Sequence, residues 1–325
     1  MHSDARLFGG TAEHADRQDL SARSAAADSD RDDKGSRRGI IKFTMREIHV
    51  DAIRDTVREL CKEAACVLPE DVVGALQTAR KREQSPVAVK VLDQILLNAD
   101  LAREEMLPLC QDTGTTVIFL DIGQDAHITG GDLKQALADG VDQGYREGFL
   151  RASIVERPFS ARTNTKNNTP PIVHTEIVPG DQLRLQVMPK GGGCENMSRF
   201  TIMLPAAGKK GITEFVLKTV AESGGNPCPP IIVGLGVGGS AEHAMYMAKR
   251  ALTRKVGDPN PVAEEAEFEA ELLDAVNALG VGAQAVGGTQ TALGVHLMTH
   301  PTHIASLPVA VNLQCHSARL KEAVL

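Results

Sequence analysis

The stretch from residue 231 to residue 239 constrains the fold most. It reads Ile-Ile-Val-Gly-Leu-Gly-Val-Gly-Gly, and an apolar run of this length that ends in glycines predicts a buried strand. A helix is predicted to follow from about residue 241 to residue 254. Glycines at such a junction allow a helix to pack closely on its strand. The fold class predicted from this unit is α/β (mixed α+β).

The same glycines permit a second interpretation. Gly234, Gly236 and Gly238 stand between a predicted strand and helix, the arrangement by which dinucleotide-binding folds bring a pyrophosphate to a helix N-terminus. Those folds also carry an acidic residue about 20 residues further on, at the end of the next strand. Here Asp258 lies in a proline-rich loop instead. A nicotinamide-dependent oxidoreductase is therefore the weaker alternative.

The rest of the chain predicts a helical layer followed by a mixed-sheet core. Residues 1–44 are rich in Ser, Ala, Asp and Arg without an apolar period, and they are predicted to be a disordered extension. Residues 45–108 carry helical periodicity, and residues 109–325 are predicted to form the α/β core. The helical layer is expected to pack on the mixed sheet, so that residues 45–325 make one domain.

The predicted elements can be given individually. In the helical layer, helices are predicted at about residues 53–64, 69–79 and 86–105. In the core, strands are predicted at about residues 117–120, 172–178, 183–188, 231–239, 295–297 and 309–313, and helices at about residues 132–148, 241–254 and 263–279. Pro179-Gly180-Asp181 is a turn sequence, and it predicts a hairpin between the second and third strands.

Composition excludes several function classes. The net charge is −7 and aromatic residues make up 3% of the chain, so neither nucleic acid nor an anionic membrane is an expected partner. No stretch approaches the ~18 apolar residues of a spanning helix, and the N-terminus lacks the apolar segment of a secretory signal. The protein is therefore expected to be cytoplasmic, where thiols stay reduced.

Three cysteines share a distinctive setting. Cys110, Cys228 and Cys315 stand in short runs of turn-forming and polar residues. Three thiolates can hold a 4Fe-4S cluster and leave one iron open to substrate. Spacing alone also allows three buried apolar thiols. Cys61 and Cys66 fall on a predicted helix, and Cys61, which stands beside Leu60, is expected in the core.

Six short runs, in order, carry a family resemblance. They are residues 110–114 (Cys-Gln-Asp-Thr-Gly), 190–196 (Lys-Gly-Gly-Gly-Cys-Glu-Asn), 226–230 (Asn-Pro-Cys-Pro-Pro), 233–239, 301–305 (Pro-Thr-His-Ile-Ala) and 315–319 (Cys-His-Ser-Ala-Arg). The chain resembles the iron-sulfur (class I) fumarate hydratase and tartrate dehydratase family, in its alpha subunit or N-terminal region. The resemblance covers about residue 46 to the C-terminus.

The resemblance implies a ligand set and a proton-transfer residue. Cys110, Cys228 and Cys315 would hold the 4Fe-4S cluster, while Cys194, where many family members carry serine, stays outside the ligand set. Asp112 would handle the proton of the substrate hydroxyl, a task that suits a carboxylate beside a metal site. The alternative for Asp112 is an ordinary turn-capping role, because Asp-x-Gly turns are common.

Four further residues are implied to bind substrate. Gln111 would contact it, Arg151 would hold a carboxylate through its guanidinium fork, and His303 would orient a substrate oxygen. Gly193 belongs to a glycine loop whose N–H groups would bind an anion if its glycines adopt positive φ. The alternatives are a surface arginine, a structural histidine and a β-bulge. His174 and His316 are interpreted as structural or are left unassigned.

The resemblance also implies an activity and a partner. The expected reaction is the reversible hydration of fumarate to malate, a step of the tricarboxylic acid cycle, on a small dicarboxylate substrate. L(+)-tartrate dehydratase alpha subunit is the close alternative, and a non-catalytic cluster-binding protein is another. One-chain family members continue into a second domain that supplies the base for the C–H proton. A separately encoded beta subunit, and hence a hetero-oligomer, is expected here.

Overall fold

The N-terminal helices and a mixed set of strands confirm the predicted fold class. The computed structural model describes residues 45–325, and the predicted disordered extension lies outside the described residues. The helices are α1 (Val50–Cys66), α2 (Glu70–Arg82), α3 (Pro86–Glu105), α4 (Leu133–Glu147), α5 (Gly192–Glu195), α6 (Gly208–Ser223), α7 (Ala241–Ala251) and α8 (Ala263–Asn277). None of these helices is long and apolar enough to cross a membrane.

The strands form three sheets. They are β1 (Arg46–His49), β2 (Thr115–Gly123), β3 (Ala126–Thr129), β4 (Ile172–Val178), β5 (Leu183–Lys190), β6 (Arg199–Met203), β7 (Ile231–Gly238), β8 (Ala292–His300), β9 (Leu307–Gln314) and β10 (Lys321–Val324). The sheet orders are β1-β3, β10-β5-β2-β4 and β6-β9-β7-β8. The last two sheets supply the strand ends that carry the candidate site.

The apolar faces of the helices build the core as their periodicity predicts. Ile53, Val57 and Leu60 of α1 are buried, and α1 packs against α4. Cys61 and Cys66 lie on the same helix and are also buried. Both thiols are core residues, which was expected for Cys61.

The predicted hairpin between β4 and β5 is wrong. Both strands pair with β2 instead, β4 in parallel and β5 in antiparallel register. The turn at Pro179-Gly180-Asp181 therefore crosses the end of β2, where the N–H of Gly123 donates to the carbonyl of Gln182 at 2.7 Å. Strand β2 is buried along most of its length, whereas β4 is half exposed. With β2 between β4 and β5, the backbone N–H and C=O groups on both of its edges are hydrogen-bonded in the interior. A direct hairpin of β4 and β5 would leave the groups on one edge of β2 unpaired.

Close packing accounts for the glycines of β7. A Cβ atom on Gly236 would lie 2.1 Å from the carbonyl oxygen of Ala244, and one on Gly234 would lie 2.0 Å from that of Ala248. Both carbonyls belong to α7, which lies directly on the strand. The packing interpretation of this glycine run is thus confirmed.

The strand register brings two cysteine loops together. Strands β7 and β9 are antiparallel, and Ile232 pairs with Gln314. Cys228 lies three residues before β7 and Cys315 directly follows β9, so both occupy the same end of this sheet. Cys110 precedes β2 of the other sheet.

Candidate functional site

The Cys110 loop is fixed from the helical layer. The N–H of Leu109 donates to the carbonyl of Ala65 at 2.9 Å, and the side-chain amide of Asn98 donates to the carbonyl of Leu109 at 3.0 Å. Cys110 is half-buried, and its sulfur accepts the N–H of Asp112 at 3.4 Å. The thiol is therefore held at a helix-to-strand junction with one side open.

Asp112 joins two loops of the site. Its Oδ1 accepts the N–H of Gly114 at 3.1 Å, so it caps its own turn. Its Oδ2 accepts the N–H of Gly192 at 2.7 Å, and its main-chain carbonyl accepts Nη1 of Arg319 at 2.6 Å. The side chain is oriented by two backbone donors from different loops.

The glycine loop differs from its expected conformation. Gly191 has φ −65° and ψ 144°, and the next residues form the short helix α5. The glycines of this loop therefore do not adopt positive φ, and the loop is not a β-bulge. A Cβ on Gly193 would lie 2.7 Å from the carbonyl oxygen of Asn226. Glycine is required at residue 193 because the Cys228 loop approaches so closely.

Cys228 lies in a tight turn after α6. Its φ is 52°, in the left-handed region, and its N–H donates to the carbonyl of Gly225 at 3.0 Å. Burial raises the pKa of the Cys228 thiol, and the nearby negative groups Cys110, Cys194 and Asp112 raise it further. Cys110 and Cys228, which are 118 positions apart in the sequence, are therefore neighbours in the fold.

The Cys315 loop is tied directly to the Cys228 loop. The main-chain N–H of His316 donates to the carbonyl of Cys228 at 3.3 Å, and Nδ1 of the same imidazole lies 2.9 Å from that oxygen. Cys315 is half-buried. His316 thus has a structural role that its sequence setting left open.

Cys194 lies deeper than the other three thiols. It is 2% exposed, and Nζ of Lys190 lies 3.3 Å from its sulfur. A hydrogen bond with Cys315 and the Lys190 ammonium lower the pKa of Cys194 to about 5. The same hydrogen bond, together with burial, raises the pKa of Cys315. Cys194 therefore lies beneath the Cys315 loop and is hydrogen-bonded to it.

Arg151 lies beside this site and His303 does not. The carbonyl of Arg151 accepts the hydroxyl of Thr113, and its side chain is exposed, as is Gln111. His303 follows the opposite end of the β6-β9-β7-β8 sheet, where it lines a pocket with His174, His243 and His300 among others. Because β7 has 8 residues, a strand length of about 25 Å separates His303 from the cysteine loops.

The geometry does not match a site for one metal ion. Within residues 45–325, no three Cys, His, Asp or Glu side chains are arranged to hold a single ion. The structure instead brings together Cys110, Cys228 and Cys315 as separate half-buried thiols around Asp112 and the glycine loop. Sequence reasoning missed the buried guanidinium of Arg319 at this site, although its position at the end of the run 315–319 gave a signal.

Comparisons with known proteins agree on one family. Residues 54–324 match the family model described as Fumarate hydratase (Fumerase). A Methanocaldococcus jannaschii protein named "Putative L(+)-tartrate dehydratase subunit alpha" is 41% identical over 275 residues, which is 82% of this chain and 95% of that protein. An L(+)-tartrate dehydratase subunit alpha of Escherichia coli strain UTI89 is 30% identical over 274 residues, which is 83% of this chain and 89% of that protein.

Proposed function

The chain belongs to the fumarate hydratase (Fumerase) family, and we propose that it is the alpha subunit of an iron-sulfur hydro-lyase that dehydrates L(+)-tartrate. The observation that carries the proposal is the meeting of Cys110, Cys228 and Cys315 at one place with Asp112. The sequence alone favoured fumarate as substrate. The names of the relatives favour tartrate instead, because both are named as tartrate dehydratase subunits.

The donor set fits a 4Fe-4S cluster. In a cluster each thiolate binds a different iron, so the three sulfurs need not converge on one point as they would around a single ion. Cys110, Cys228 and Cys315 are free and half-buried, which suits a ligand that faces both the protein and the substrate. Three protein thiolates for four irons leave one iron without a protein ligand. When bound, the cluster would supply a Lewis acid to the substrate's hydroxyl and carboxylate oxygens.

Asp112 would move the proton of the hydroxyl that leaves. A carboxylate offers about four lone-pair positions, and the N–H groups of Gly114 and Gly192 occupy two of them. The others are free for a substrate hydroxyl, while the two N–H donors keep the carboxylate from rotating. In its protonated form such a fixed carboxyl group would give its proton to the departing hydroxyl, so that water leaves and Asp112 is left as the carboxylate.

Gln111, Arg151 and Gly193 would bind the dicarboxylate. The Arg151 side chain is exposed next to the Cys110 loop, because its carbonyl is held by Thr113, and a guanidinium binds a carboxylate through two N–H groups. Gln111 and Gly193 are also exposed. His303 is left out of this set within one chain, because the fold places it at the other end of the sheet.

The base for the C–H proton would come from a beta subunit. Removal of water from tartrate breaks one C–O and one C–H bond and leaves an enol that becomes oxaloacetate. The relatives are named as alpha subunits, which supports a hetero-oligomer with a second chain. A reducing cytoplasmic environment would suit these half-buried free thiols.

Fumarate hydration is the second candidate, because the family description names fumarate hydratase. Its reaction differs only in the substituent on the second carbon, so the same residues would serve.

The test is anaerobic reconstitution of the chain, with and without its co-expressed beta subunit. Iron, acid-labile sulfide and the EPR spectrum are measured for wild type and for Cys110→Ser, Cys228→Ser and Cys315→Ser. We expect a 4Fe-4S cluster in wild type and its loss in each variant, and a higher kcat/KM for L(+)-tartrate than for malate or fumarate in the complex. A higher kcat/KM for malate and fumarate would select the second candidate, and absence of any cluster would refute both.

A further inference from the structure

A buried guanidinium lies behind the cysteines without a carboxylate partner. Arg319 is 2% exposed, its Nη1 donates to the carbonyl of Asp112 at 2.6 Å, and its Nε is buried without a hydrogen-bond partner. Among residues 45–325, no carboxylate lies within 4.0 Å of its nitrogens. An unpaired buried charge is costly, so the position of Arg319 is explained best by an anion that completes the site.

Other shielded arginines in the described chain have such a partner. Arg250 forms an ion pair with Asp121 at 2.7 Å, and Arg254 forms one with Glu269 at 2.6 Å. Both side chains are more exposed than Arg319. The most buried of the three guanidinium groups is thus the one without a carboxylate.

The surroundings of Arg319 indicate which anion it faces. It stands four residues after Cys315, and one of its nitrogens, Nη2, would lie 3.3 Å from a Cβ placed on Gly191 of the glycine loop. Its Nη1 donates to the main-chain carbonyl of Asp112, which stands two residues after Cys110. The buried charge therefore lies beside the loops of two of the three ligand thiols.

We infer that Arg319 is the counter-charge of the iron-sulfur cluster and raises its reduction potential. The inference rests on the proposed function, because it requires a cluster on Cys110, Cys228 and Cys315. A dipositive 4Fe-4S core with three thiolates is an anion, and one-electron reduction adds a further negative charge. A fixed positive charge close to the thiolates stabilises the reduced form more than the oxidised form.

The experiment is an EPR-monitored redox titration of the anaerobically reconstituted chain with dithionite as the electron donor. In Arg319→Gln we expect the equilibrium constant for reduction to fall about tenfold, which is about 59 mV toward lower potential for a one-electron couple. Arg319→Lys keeps the charge and should retain most of the wild-type potential. Arg250→Gln is the matched control, because it removes a shielded guanidinium that pairs with Asp121, and it should leave the potential unchanged.

A second measurement separates this role from a purely structural one. Urea unfolding of the metal-free chain should find Arg319→Gln as stable as wild type or more stable, because the substitution removes an unpaired buried charge. Arg250→Gln should be less stable, because it leaves Asp121 without its partner. An unchanged potential in Arg319→Gln, or a loss of metal-free stability equal to that of the control, would overturn the inference. Failure of wild type to take up a cluster would instead refute the proposed function.

Discussion

Replacement of Asp112 by asparagine separates its proposed role in proton transfer from its structural role. The two carboxylate oxygens accept the N–H groups of Gly114 and Gly192, whereas an amide presents one acceptor and one donor. One of these N–H groups therefore loses its partner in Asp112→Asn. Because these hydrogen bonds lie at partly exposed positions, the structural cost is about 0.5 to 1.5 kcal/mol in the free energy of unfolding.

The catalytic cost of the same substitution should be larger. An amide cannot transfer the hydroxyl proton, and loss of a positioned acid or base lowers the rate by about 10² to 10⁴-fold. We expect a drop of this size in kcat for the reconstituted complex, while iron and sulfide per chain stay at the wild-type level because all three cysteines are kept. Anaerobic kinetics on L(+)-tartrate and urea unfolding of the metal-free chain measure the two effects.

Asp132→Asn is the matched control for this experiment. Asp132 accepts the N–H of Gln135 at 3.0 Å at the start of α4, and asparagine serves equally well as a helix cap. This variant should therefore keep both stability and kcat. A kcat close to wild type in Asp112→Asn, with the cluster present, would refute the assigned proton transfer.

Three further predictions concern the supporting structure. Gly236→Ala should lower the free energy of unfolding by about 1 to 3 kcal/mol, because its Cβ would lie 2.1 Å from the carbonyl oxygen of Ala244. Gly74→Ala in α2 should instead raise it by about 0.5 to 1 kcal/mol, because no atom lies within 4 Å of the added Cβ. Urea unfolding measures both changes. Burial lowers the pKa of His296 from 6.5 to about 4, so the imidazole is protonated at a higher pH in the unfolded chain than in the folded one. The free energy of unfolding should therefore fall by about 3 kcal/mol as the pH falls from 6.5 to about 4. Unfolding at several pH values measures this, with His296→Gln as the comparison. Cys194→Ser should retain the cluster, because the ligand thiols are all kept, and iron analysis measures this.

Each of these three predictions has a contrary result. Equal stability changes in the two glycine variants would contradict the close packing of α7 on β7. An identical pH profile in His296→Gln would assign the loss of stability to other groups. Loss of iron in Cys194→Ser, at a level equal to Cys315→Ser, would make Cys194 a ligand and would remove it from its supporting position.

Local sequence patterns predicted the elements better than their partners. Short-range patterns mark the helical periods of α1, α2 and α3 and the apolar run of β7. The residue ranges predicted for these four elements are close to those in the structure. The pairing of β4 and β5 was not, because the strand that separates them, β2, lies more than 45 residues earlier in the chain. Helix α6 was missed because its first turn contains two glycines and no side chain caps it.

The same limit applies to the candidate site. Cys110, Asp112 and Cys228 stand in short runs that are informative by themselves. Arg319 ends the run 315–319, but that run by itself assigns it no role, since the carbonyl it binds belongs to a residue 207 positions away. Its lack of a carboxylate partner is a property of the folded chain and has no counterpart in the sequence.

The three thiols are not all attached to the same layer of the fold. Cys228 precedes β7 and Cys315 follows β9, and these two strands are hydrogen-bonded to each other. Cys110 instead precedes β2 of the other sheet. A cofactor bound to all three would therefore act as a cross-link between two sheets. Hydrogen exchange should then be faster at residues 109–115 in the metal-free chain than in the loaded one. The proposed cluster would in that case hold the two sheets together as well as take part in the proposed reaction.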